Sequence, residues 1–434
     1  EPASVPYGDP TDGGPRPAPL DEDFSTALLA ELRANYSDVF DADFYGQPAS
    51  EATGVEHQIT LRPGAVPRHF RPYPVAARHL QAYKEHIHHL LLHRWIRPSS
   101  SPWAAPSTFV HAAEWKNKAA RFIQDYRYLN TQSVPQAYAM PRIDTILQHA
   151  GRAAIFTTVD LKKCFYQIKV ADQSIPLTAT ATLFGTYEFV SLPFGLSGSP
   201  ATQQRLADVV LRELIGAVCF IYVDDIIIFT SLDGSGQARL NPQPMPANHD
   251  ATDLLDRHAH HVRLVFERLA EAGYRVSEDK CVFATIRAEY LGHELEPCSV
   301  AIPRDKLLAI SQWPTPRSLP QLTRFVGFAV WLSKFVPGFE SKVAPLRRII
   351  KDKKFTWDTS AATAFTTIIA DLLAAPRLST PDPLLPIDLF TDASDLGIGA
   401  LLQQDGRLVS CYSTLFSSTQ ANYPVADKEL YAIV

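Results

Sequence analysis

Apolar residues recur along the chain with two different spacings, which predicts both helices and strands. In four segments they fall at every third or fourth position, the spacing that places them on one face of a helix. These segments are residues 24–36, 76–94, 307–313 and 319–335. Short runs of β-branched and aromatic residues, typical of buried strands, lie at 108–110, 156–159 and 221–229. The predicted strands thus lie between two pairs of predicted helices.

Two neighbouring carboxylates, Asp224 and Asp225, interrupt the apolar run at 221–229. An ionised acid is costly inside a buried sheet unless a cation or hydrogen bonds compensate its charge. The run is typical of a strand, a tight turn and a second strand, a hairpin that holds both acids at a fixed place. Oxygen ligands on a rigid element suit Mg²⁺. We expect a metal site here; two ordinary turn residues are the alternative.

A third acid, Asp160, ends the strand-like run at 156–159. If the two runs pair, Asp160 and Asp224 could share two cations about 4 Å apart, the arrangement that activates an attacking 3′ oxygen and stabilises a leaving pyrophosphate. The three acids therefore predict phosphoryl transfer. A simple turn role for Asp160 stays open as the alternative.

Several short motifs resemble those of reverse transcriptases. Y-V-D-D at 222–225 resembles their Y-x-D-D signature, V-D-L at 159–161 resembles their first catalytic aspartate motif, and P-F-G-L at 193–196 lies between the two. Similarity to the polymerases of gypsy-type long-terminal-repeat retrotransposons extends from about residue 39 to the last residue. It includes the segments 96–102, 125–130, 290–293 and 313–316. The resemblance implies an RNA-directed DNA polymerase, a nucleotidyltransferase.

The resemblance also implies a fold and its order along the chain. The expected fold is α+β, a right-hand polymerase of fingers, palm and thumb followed by a partial α/β ribonuclease H-like domain. The expected segments are an acidic arm and docking helix (1–50), interleaved fingers and palm (51–285) with a loop insertion (231–253), a thumb (286–357), a connector (358–386) and the partial ribonuclease H-like domain (387–434).

The same resemblance assigns catalytic roles to the three acids. Asp160 and Asp224 would ligate two Mg²⁺ ions, for which Mn²⁺ could substitute, and Asp225 would complete the acidic cluster. The expected partners are an RNA or DNA template with its primer and deoxynucleoside triphosphates. A homodimer stays open.

Other positions match the nucleotide-binding residues of the family. Arg121 would contact the triphosphate, because a planar guanidinium suits phosphate. Phe165 would lie under the sugar as a steric gate that clashes with a ribose 2′-OH, although a core aromatic is the alternative. Gly195 and Pro200 would shape the loop that carries Phe194 towards the nucleotide.

The segment near the end of the sequence resembles the start of a ribonuclease H module. Asp392 would be its first metal ligand and Glu429 its second. The family needs two more aspartates beyond that point, and the sequence ends at Val434. We therefore expect ribonuclease H activity to be absent from the chain as given.

Several departures from the family pattern support a second hypothesis. The turn at 110–114 lacks the usual lysines, which Lys116 or Lys118 could replace, and Gln203 stands where the family has phenylalanine. The usual basic and aromatic stretch of the thumb is W-L-S-K at 331–334. Such losses remove phosphate-binding charge and base-stacking surface. The alternatives to an active polymerase are a domesticated polymerase kept as a structural subunit of a host complex, and a nucleic-acid binder without catalysis.

Charge and cysteine usage refine this picture. The net charge is −5, but residues 1–50 hold ten acidic and two basic residues, whereas 286–357 hold twelve basic and six acidic ones. Basic charge is thus concentrated where a thumb would contact phosphates. The five cysteines lack metal-ligand spacing, and no apolar run is long enough to span a bilayer. We expect an intracellular, cytoplasmic protein, associated with a particle if the element is active.

Two groups of histidines have spacings that could suit a metal. The first is His86, His89 and His93, and the second is His258, His260 and His261. No cysteine or carboxylate accompanies either group at ligand spacing, so we predict solvated or lightly packed side chains instead.

Overall fold

The computed structural model describes residues 21–41, 53–110, 121–231 and 251–434. Its helices are α1 (Glu22–Asn35), α2 (Leu80–Leu92), α3 (Arg127–Gln132), α4 (Ile143–Ala150), α5 (Ser199–Val210), α6 (Ala251–Ala272), α7 (Arg304–Ser311), α8 (Leu319–Trp331), α9 (Phe339–Lys351), α10 (Thr359–Leu373) and α11 (Val425–Ile433). Helices thus cover most of each of the four segments where the helical spacing predicts them. None of the helices in the described ranges has the length and apolar character needed to cross a bilayer.

The strands form four separate sheets. They are β1 (Ile96–Pro98), β2 (Ala105–Val110), β3 (Arg121–Gln124), β4 (Ile155–Asp160), β5 (Thr180–Thr182), β6 (Gly185–Phe189), β7 (Cys219–Tyr222), β8 (Asp225–Thr230), β9 (Val282–Thr285), β10 (Ala288–Tyr290), β11 (His293–Glu296), β12 (Ser299–Ala301), β13 (Leu378–Ser379), β14 (Asp388–Ala393), β15 (Gly397–Gln404) and β16 (Arg407–Leu415). The sheet orders are β1-β6-β5-β2-β3, β7-β8-β4-β9, β10-β11-β12-β13 and β14-β15-β16.

The antiparallel sheet β7-β8-β4-β9, here called the palm sheet, is buried on both faces. Along β8, Ile226 and Ile228 belong to one hydrophobic core, whereas Ile227 and Phe229 belong to another. Successive side chains of a strand point to opposite faces, so a sheet between two cores needs apolar residues at every position. This requirement explains the unbroken apolar run that follows Asp225 in the sequence.

Helix α1 packs against the first of these cores. Asp21 caps it by accepting a hydrogen bond from the Phe24 amide, and Leu28 and Leu32 are buried. Glu31 forms an ion pair with Arg263 of α6 at 2.6 Å. The predicted docking helix is therefore present, while residues 1–20 of the predicted arm lie outside the described residues.

The five-stranded sheet and α2 enclose an aromatic core of their own. Its members include Tyr83, Trp95, Phe109, Tyr166 and Phe189. The rings of Trp95 and Tyr166 stack with their centroids 4.5 Å apart.

The first histidine group packs against this aromatic core. The prediction of a solvated or lightly packed face is wrong for His93, which is buried with its ring centroid 4.6 Å from that of Trp95. His86 lies 5.4 Å from the ring centroid of Phe122. Burial on this helix face reflects the aromatic side chains that surround it, which the spacing of the histidines alone does not reveal.

The second histidine group also departs from the prediction, because His258 is fully buried. Its two ring nitrogens share hydrogen bonds with the hydroxyls of Thr157, at 2.8 Å, and Thr230, at 2.9 Å. The Thr230 hydroxyl also bonds His261 at 2.8 Å. Burial lowers the pKa of His258 to about 3, so this imidazole is neutral. It joins α6 to two strands of the palm sheet.

Replacing His258 with leucine should therefore lower the free energy of unfolding by about 2 kcal/mol, because two buried hydroxyls lose a partner. Urea unfolding measures this change. The matched control is His260→Leu, since His260 is exposed on the same helix. Equal losses in the two variants would contradict a structural role for the His258 bonds.

The later helices complete the second core. Phe325 of α8, Phe339 of α9 and Phe365 of α10 are buried in it, together with residues of the palm sheet. The segment 358–386, predicted as a connector, contains α10 and β13. Beyond it, β14, β15 and β16 form an antiparallel sheet against which α11 packs.

Candidate active site

Three acids lie together at one end of the palm sheet. Asp160 is the last residue of β4 and pairs in register with Asp225, the first residue of β8. Asp224 lies in the turn between β7 and β8, and its carbonyl accepts a hydrogen bond from the Leu161 amide at 2.9 Å. Antiparallel pairing of β4 with β8 thus brings together residues that are 64 or 65 positions apart in the sequence.

A lysine that the sequence reasoning missed neutralises part of this cluster. Lys280 Nζ donates to Asp160 Oδ1 at 3.0 Å and to Oδ2 at 3.1 Å. Lys280 lies between the palm strand β9 and α6 in the sequence, and its side chain is 59% exposed. Because Lys280 is far from the acids in the sequence, the sequence alone does not indicate this contact.

The ionised forms of the other two acids, Asp224 and Asp225, are disfavoured. Burial, followed by repulsion from Asp224 and Asp160, raises the pKa of Asp225 to about 6. Burial is also the main cause that raises the pKa of Asp224, to which Asp160 adds repulsion. Positive charge placed beside Asp224 and Asp225 would therefore favour their ionised forms.

The donor chemistry of this cluster fits a divalent cation such as Mg²⁺, which prefers carboxylate oxygens. Within the described ranges, no three His, Cys, Asp or Glu residues are already arranged to hold a metal ion. Both oxygens of Asp160 accept hydrogen bonds from Lys280, so this ammonium competes with a cation for the charge of Asp160. The three acids lie close together, but as described they are not arranged as a complete set of metal ligands.

A pH dependence follows from the raised pKa of Asp225. Its pKa of about 6 in the folded chain lies above the value of about 3.9 for an unfolded aspartate. The folded state therefore binds the proton more tightly, which stabilises the metal-free fold at low pH, and this contribution disappears as the pH rises through 6. We expect the stability of the wild type relative to Asp225→Asn to fall by roughly 1 kcal/mol between pH 4.5 and 7.5, allowing for solvent screening.

Thermal unfolding of both chains in a chelator at the two pH values measures this difference. A difference between the chains that is independent of pH would show that Asp225 titrates normally. Asp172→Asn is the control, because the Asp172 side chain is 84% exposed.

The turn that carries Asp224 is held by α5. Val223 has a positive φ of 58°. Its N–H donates to Gln204 Oε1 at 2.9 Å, and its carbonyl accepts from Gln203 Nε2 at 3.1 Å. The sequence alone indicates only that Gln203 replaces the phenylalanine that the family has at this position. The structure places it fully buried behind the acids.

The P-F-G-L loop brings an aromatic pair beside this cluster. Phe165 is partly buried, and its ring meets Phe194 edge to face with centroids 5.0 Å apart. Phe194 is 45% exposed. Phe165 thus packs against the palm core on one side and against an exposed ring on the other. Pro200 lies in the first turn of α5, directly after this loop.

Gly195 has a conformation that side chains rarely adopt. Its φ is +97°, and a Cβ there would lie 3.3 Å from the Gln124 carbonyl oxygen. The Asn130 side chain donates to the Gly195 carbonyl at 2.9 Å and accepts from the Ser197 amide at 3.0 Å. Asn130, whose role was not foreseen, therefore fixes the loop that presents Phe194.

The fingers residues expected at the triphosphate are only partly described. Arg121 begins β3, and its side chain lies outside the described part of the structure. Lys116 and Lys118 also lie outside the described residues. Their roles stay predictions.

A second hairpin is fixed against the acids. The Tyr290 hydroxyl donates to the Asp225 carbonyl at 3.0 Å. Leu291 and Gly292 form the turn between β10 and β11, with φ values of 47° and 72°. Tyr290 is fully buried, so this bond holds the Leu291–Gly292 turn at a defined position relative to Asp225.

The two residues predicted for a ribonuclease H site lie on neighbouring elements. Asp392 is exposed on β14, and Glu429 is partly buried on α11, which packs against β14. Lys428, adjacent to Glu429, pairs with Asp395 at 3.4 Å. The described residues place no further acid with them in a metal-ligating group.

Two family models match most of the second half of the chain and much of the first. Residues 114–295 match the family described as reverse transcriptase (RNA-dependent DNA polymerase), and residues 357–434 match the RNase H-like domain found in reverse transcriptase. The chain is 32% identical over 430 residues to the retrovirus-related Pol polyprotein from transposon opus of Drosophila melanogaster, covering 95% of this chain and 40% of that polyprotein. The chain thus carries a reverse transcriptase domain and resembles the Pol polyproteins of gypsy-type retrotransposons.

A second relative is also a retrotransposon polyprotein, and a solved structure has the same fold. The Pol polyprotein from transposon 297 of Drosophila melanogaster is 34% identical over 374 residues, which cover 85% of this chain and 33% of that polyprotein. The foamy viral protease-reverse transcriptase in complex with RNA/DNA hybrid has the same fold, with a TM-score of 0.77 at 20% identity, over 96% of this chain and 53% of that one.

These comparisons confirm the predicted fold class. The chain has the α+β right-hand arrangement of a reverse transcriptase, followed by a ribonuclease H-like region. It spans about 27–40% of the length of the curated relatives that it matches. The predicted boundaries between its segments stay predictions.

Proposed function

We propose that this reverse transcriptase chain synthesises DNA on an RNA or DNA template by two-metal nucleotidyl transfer. The observation that carries the proposal is the pairing of Asp160 with Asp225 at the end of the palm sheet, with Asp224 in the adjoining turn. The raised pKa values of Asp224 and Asp225 support a cation site there, because cations would offset the burial, and the repulsion between the acids, that raise them.

In this proposal Asp160 and Asp224 would hold two Mg²⁺ ions, or Mn²⁺, and Asp225 would complete the cluster. Bound cations of this kind supply Lewis-acid activation of a primer 3′-OH and neutralise charge at the α-phosphate. The hairpin turn at Leu291 and Gly292, fixed to Asp225 through Tyr290, would hold the primer end close to the acids.

The nucleotide would be bound by the residues around the P-F-G-L loop. Phe165 would exclude a ribose 2′-OH, while Phe194 and Gly195 would shape the loop against the nucleotide. Arg121 would orient the triphosphate through its guanidinium. Each role needs only positioning and charge, the two contributions on which phosphoryl transfer mainly depends.

Template and primer would bind mainly through their phosphates. The basic excess of residues 286–357, twelve basic against six acidic, supports this interaction. Base pairing with the template would supply the sequence information, so base-specific side chains are not needed. The foamy viral relative, whose structure contains an RNA/DNA hybrid, supports the class of nucleic acid.

The second candidate function is a domesticated polymerase that serves as a structural subunit of a host complex. The contact of Lys280 with both oxygens of Asp160 favours this candidate, because it partly neutralises the acid without a metal. We also propose that the chain as given does not cleave RNA in a hybrid, because Asp392 and Glu429 match only two of the four metal ligands that the resemblance implies for such a site.

Primer extension tests these functions directly. The full chain is mixed with an RNA template, an annealed DNA primer, deoxynucleoside triphosphates and Mg²⁺. Polymerase function predicts template-dependent extension that a chelator stops. Salt-dependent binding of the hybrid without extension would instead indicate a binder without catalysis, and neither activity would indicate a structural subunit.

A further inference from the structure

The turn between β7 and β8 contains a backbone conformation that needs support. Val223 is β-branched and has a φ of 58°, in the left-handed region that such residues rarely occupy. Asp224 follows it directly, so any relaxation of Val223 would move Asp224 relative to Asp160. The spacing of the acid cluster therefore depends on whatever holds Val223.

Two adjacent glutamines hold the main chain of Val223 from both sides. Gln204 accepts a hydrogen bond from the Val223 N–H, and Gln203 donates one to the Val223 carbonyl. Both glutamines are buried, with 0% and 1% of their surface exposed. Because α5 carries both side chains, the turn is fixed to a rigid helix.

Gln203 also reaches the segment that borders Asp160. Its amide nitrogen lies 3.4 Å from the hydroxyl of Tyr274, which is buried. The residues after Tyr274 bond the main chain around Asp160, since the Arg275 carbonyl accepts from Lys162 and the Ser277 amide donates to Asp160. One amide nitrogen thus bonds both the turn that carries Asp224 and the tyrosine that precedes the segment bonded to Asp160.

Packing alone does not account for a glutamine at this place. Gln203 Oε1 is buried and makes no hydrogen bond within the described part of the chain. A buried acceptor without a partner is unfavourable, so an apolar side chain would pack better. The phenylalanine that the family has here could not donate to the Val223 carbonyl.

We propose that Gln203 is a positioning residue for the acid cluster, whose amide holds the Val223 carbonyl and thereby fixes Asp224 opposite Asp160. This proposal rests on the proposed function of the acids as a cation site. The side chain touches neither cation nor nucleotide and acts through the turn. Its loss should affect cation binding and turnover without a matching loss of stability.

The test uses Gln203→Met in the full chain, because methionine has nearly the same length and volume but no amide. We expect Mn²⁺ affinity, followed through the electron paramagnetic resonance signal of the free ion, to weaken about fivefold to tenfold. We expect kcat for primer extension to fall about tenfold, with KM for the nucleotide changed less than about twofold. The midpoint of thermal unfolding should stay unchanged or rise.

The matched control is Gln404→Met. Gln404 is also buried, and its side chain bonds the Asp382 amide and the carbonyls of Asp382 and Leu385, in the ribonuclease H-like region. We expect this variant to lose stability and to keep the Mn²⁺ affinity of the wild type.

The outcomes separate the two proposals. If Gln203→Met loses as much stability as Gln404→Met while its Mn²⁺ affinity stays within twofold of the wild type, the positioning role is overturned. A wild type that binds Mn²⁺ without extending a primer overturns the proposed function, and the Mn²⁺ comparison still decides the role of Gln203. A wild type that binds no Mn²⁺ overturns both.

Discussion

Asp224→Asn should abolish primer extension while leaving the metal-free fold at least as stable as the wild type. Asparagine keeps the shape of the side chain but removes the charge that would hold a cation, so we expect extension to fall by roughly a thousandfold or more. Stability should not fall, because the Asp224 carboxylate is disfavoured by burial and by its neighbour Asp160 in the absence of a cation. Extension rates and thermal unfolding in a chelator measure the two effects.

The control for this substitution is again Asp172→Asn, the same change at an exposed acid. It should leave extension unchanged. Retained turnover in Asp224→Asn would remove the acid from the proposed mechanism. A large loss of stability would instead show that the carboxylate supports the turn itself.

Phe165→Val should make the polymerase accept ribonucleotides. The substitution removes the ring that would clash with a 2′-OH, so we expect the ratio of kcat/KM for deoxynucleotides over ribonucleotides to fall about a hundredfold. Most of the change should be a gain with ribonucleotides, because a deoxynucleotide has no 2′-OH that would clash with the ring. Single-nucleotide extension with each substrate measures the ratio.

Phe184→Val is the matched control, because Phe184 is an exposed aromatic in the turn between β5 and β6, with its ring centroid 5.3 Å from that of Tyr83. It should leave the selectivity unchanged. If Phe165→Val lowers stability without altering selectivity, Phe165 is a core aromatic, the alternative that the sequence left open.

The sequence was most informative about the acids and the elements that carry them. The apolar run at 221–229 needs two buried faces, and β8 has one on each side. A cation site shared by these acids requires the runs at 156–159 and 221–229 to pair. The register of Asp160 with Asp225 shows that they do. Strand periodicity and the position of charged residues within it are local properties, which is why they could be recognised.

The contacts that surround the acids could not be predicted in the same way. Lys280 reaches Asp160 from 120 residues away, and Tyr290 reaches Asp225 from 65 residues away. His258 can be buried because both of its ring nitrogens form hydrogen bonds with threonine hydroxyls of the palm sheet. Such partners are chosen by tertiary packing, for which the spacing of a single residue type contains no signal.

Because β8 contributes to two cores, the elements on its two faces should depend on each other for stability. Ile227 and Phe229 share a core with residues of α8, α9 and α10, whereas Ile226 and Ile228 share one with α6. A fragment that ends after the palm would expose one apolar face of β8 to water. An isolated thumb would lack the palm residues against which its helices pack. The palm sheet and the helices α6, α8, α9 and α10 should therefore unfold together in one cooperative transition.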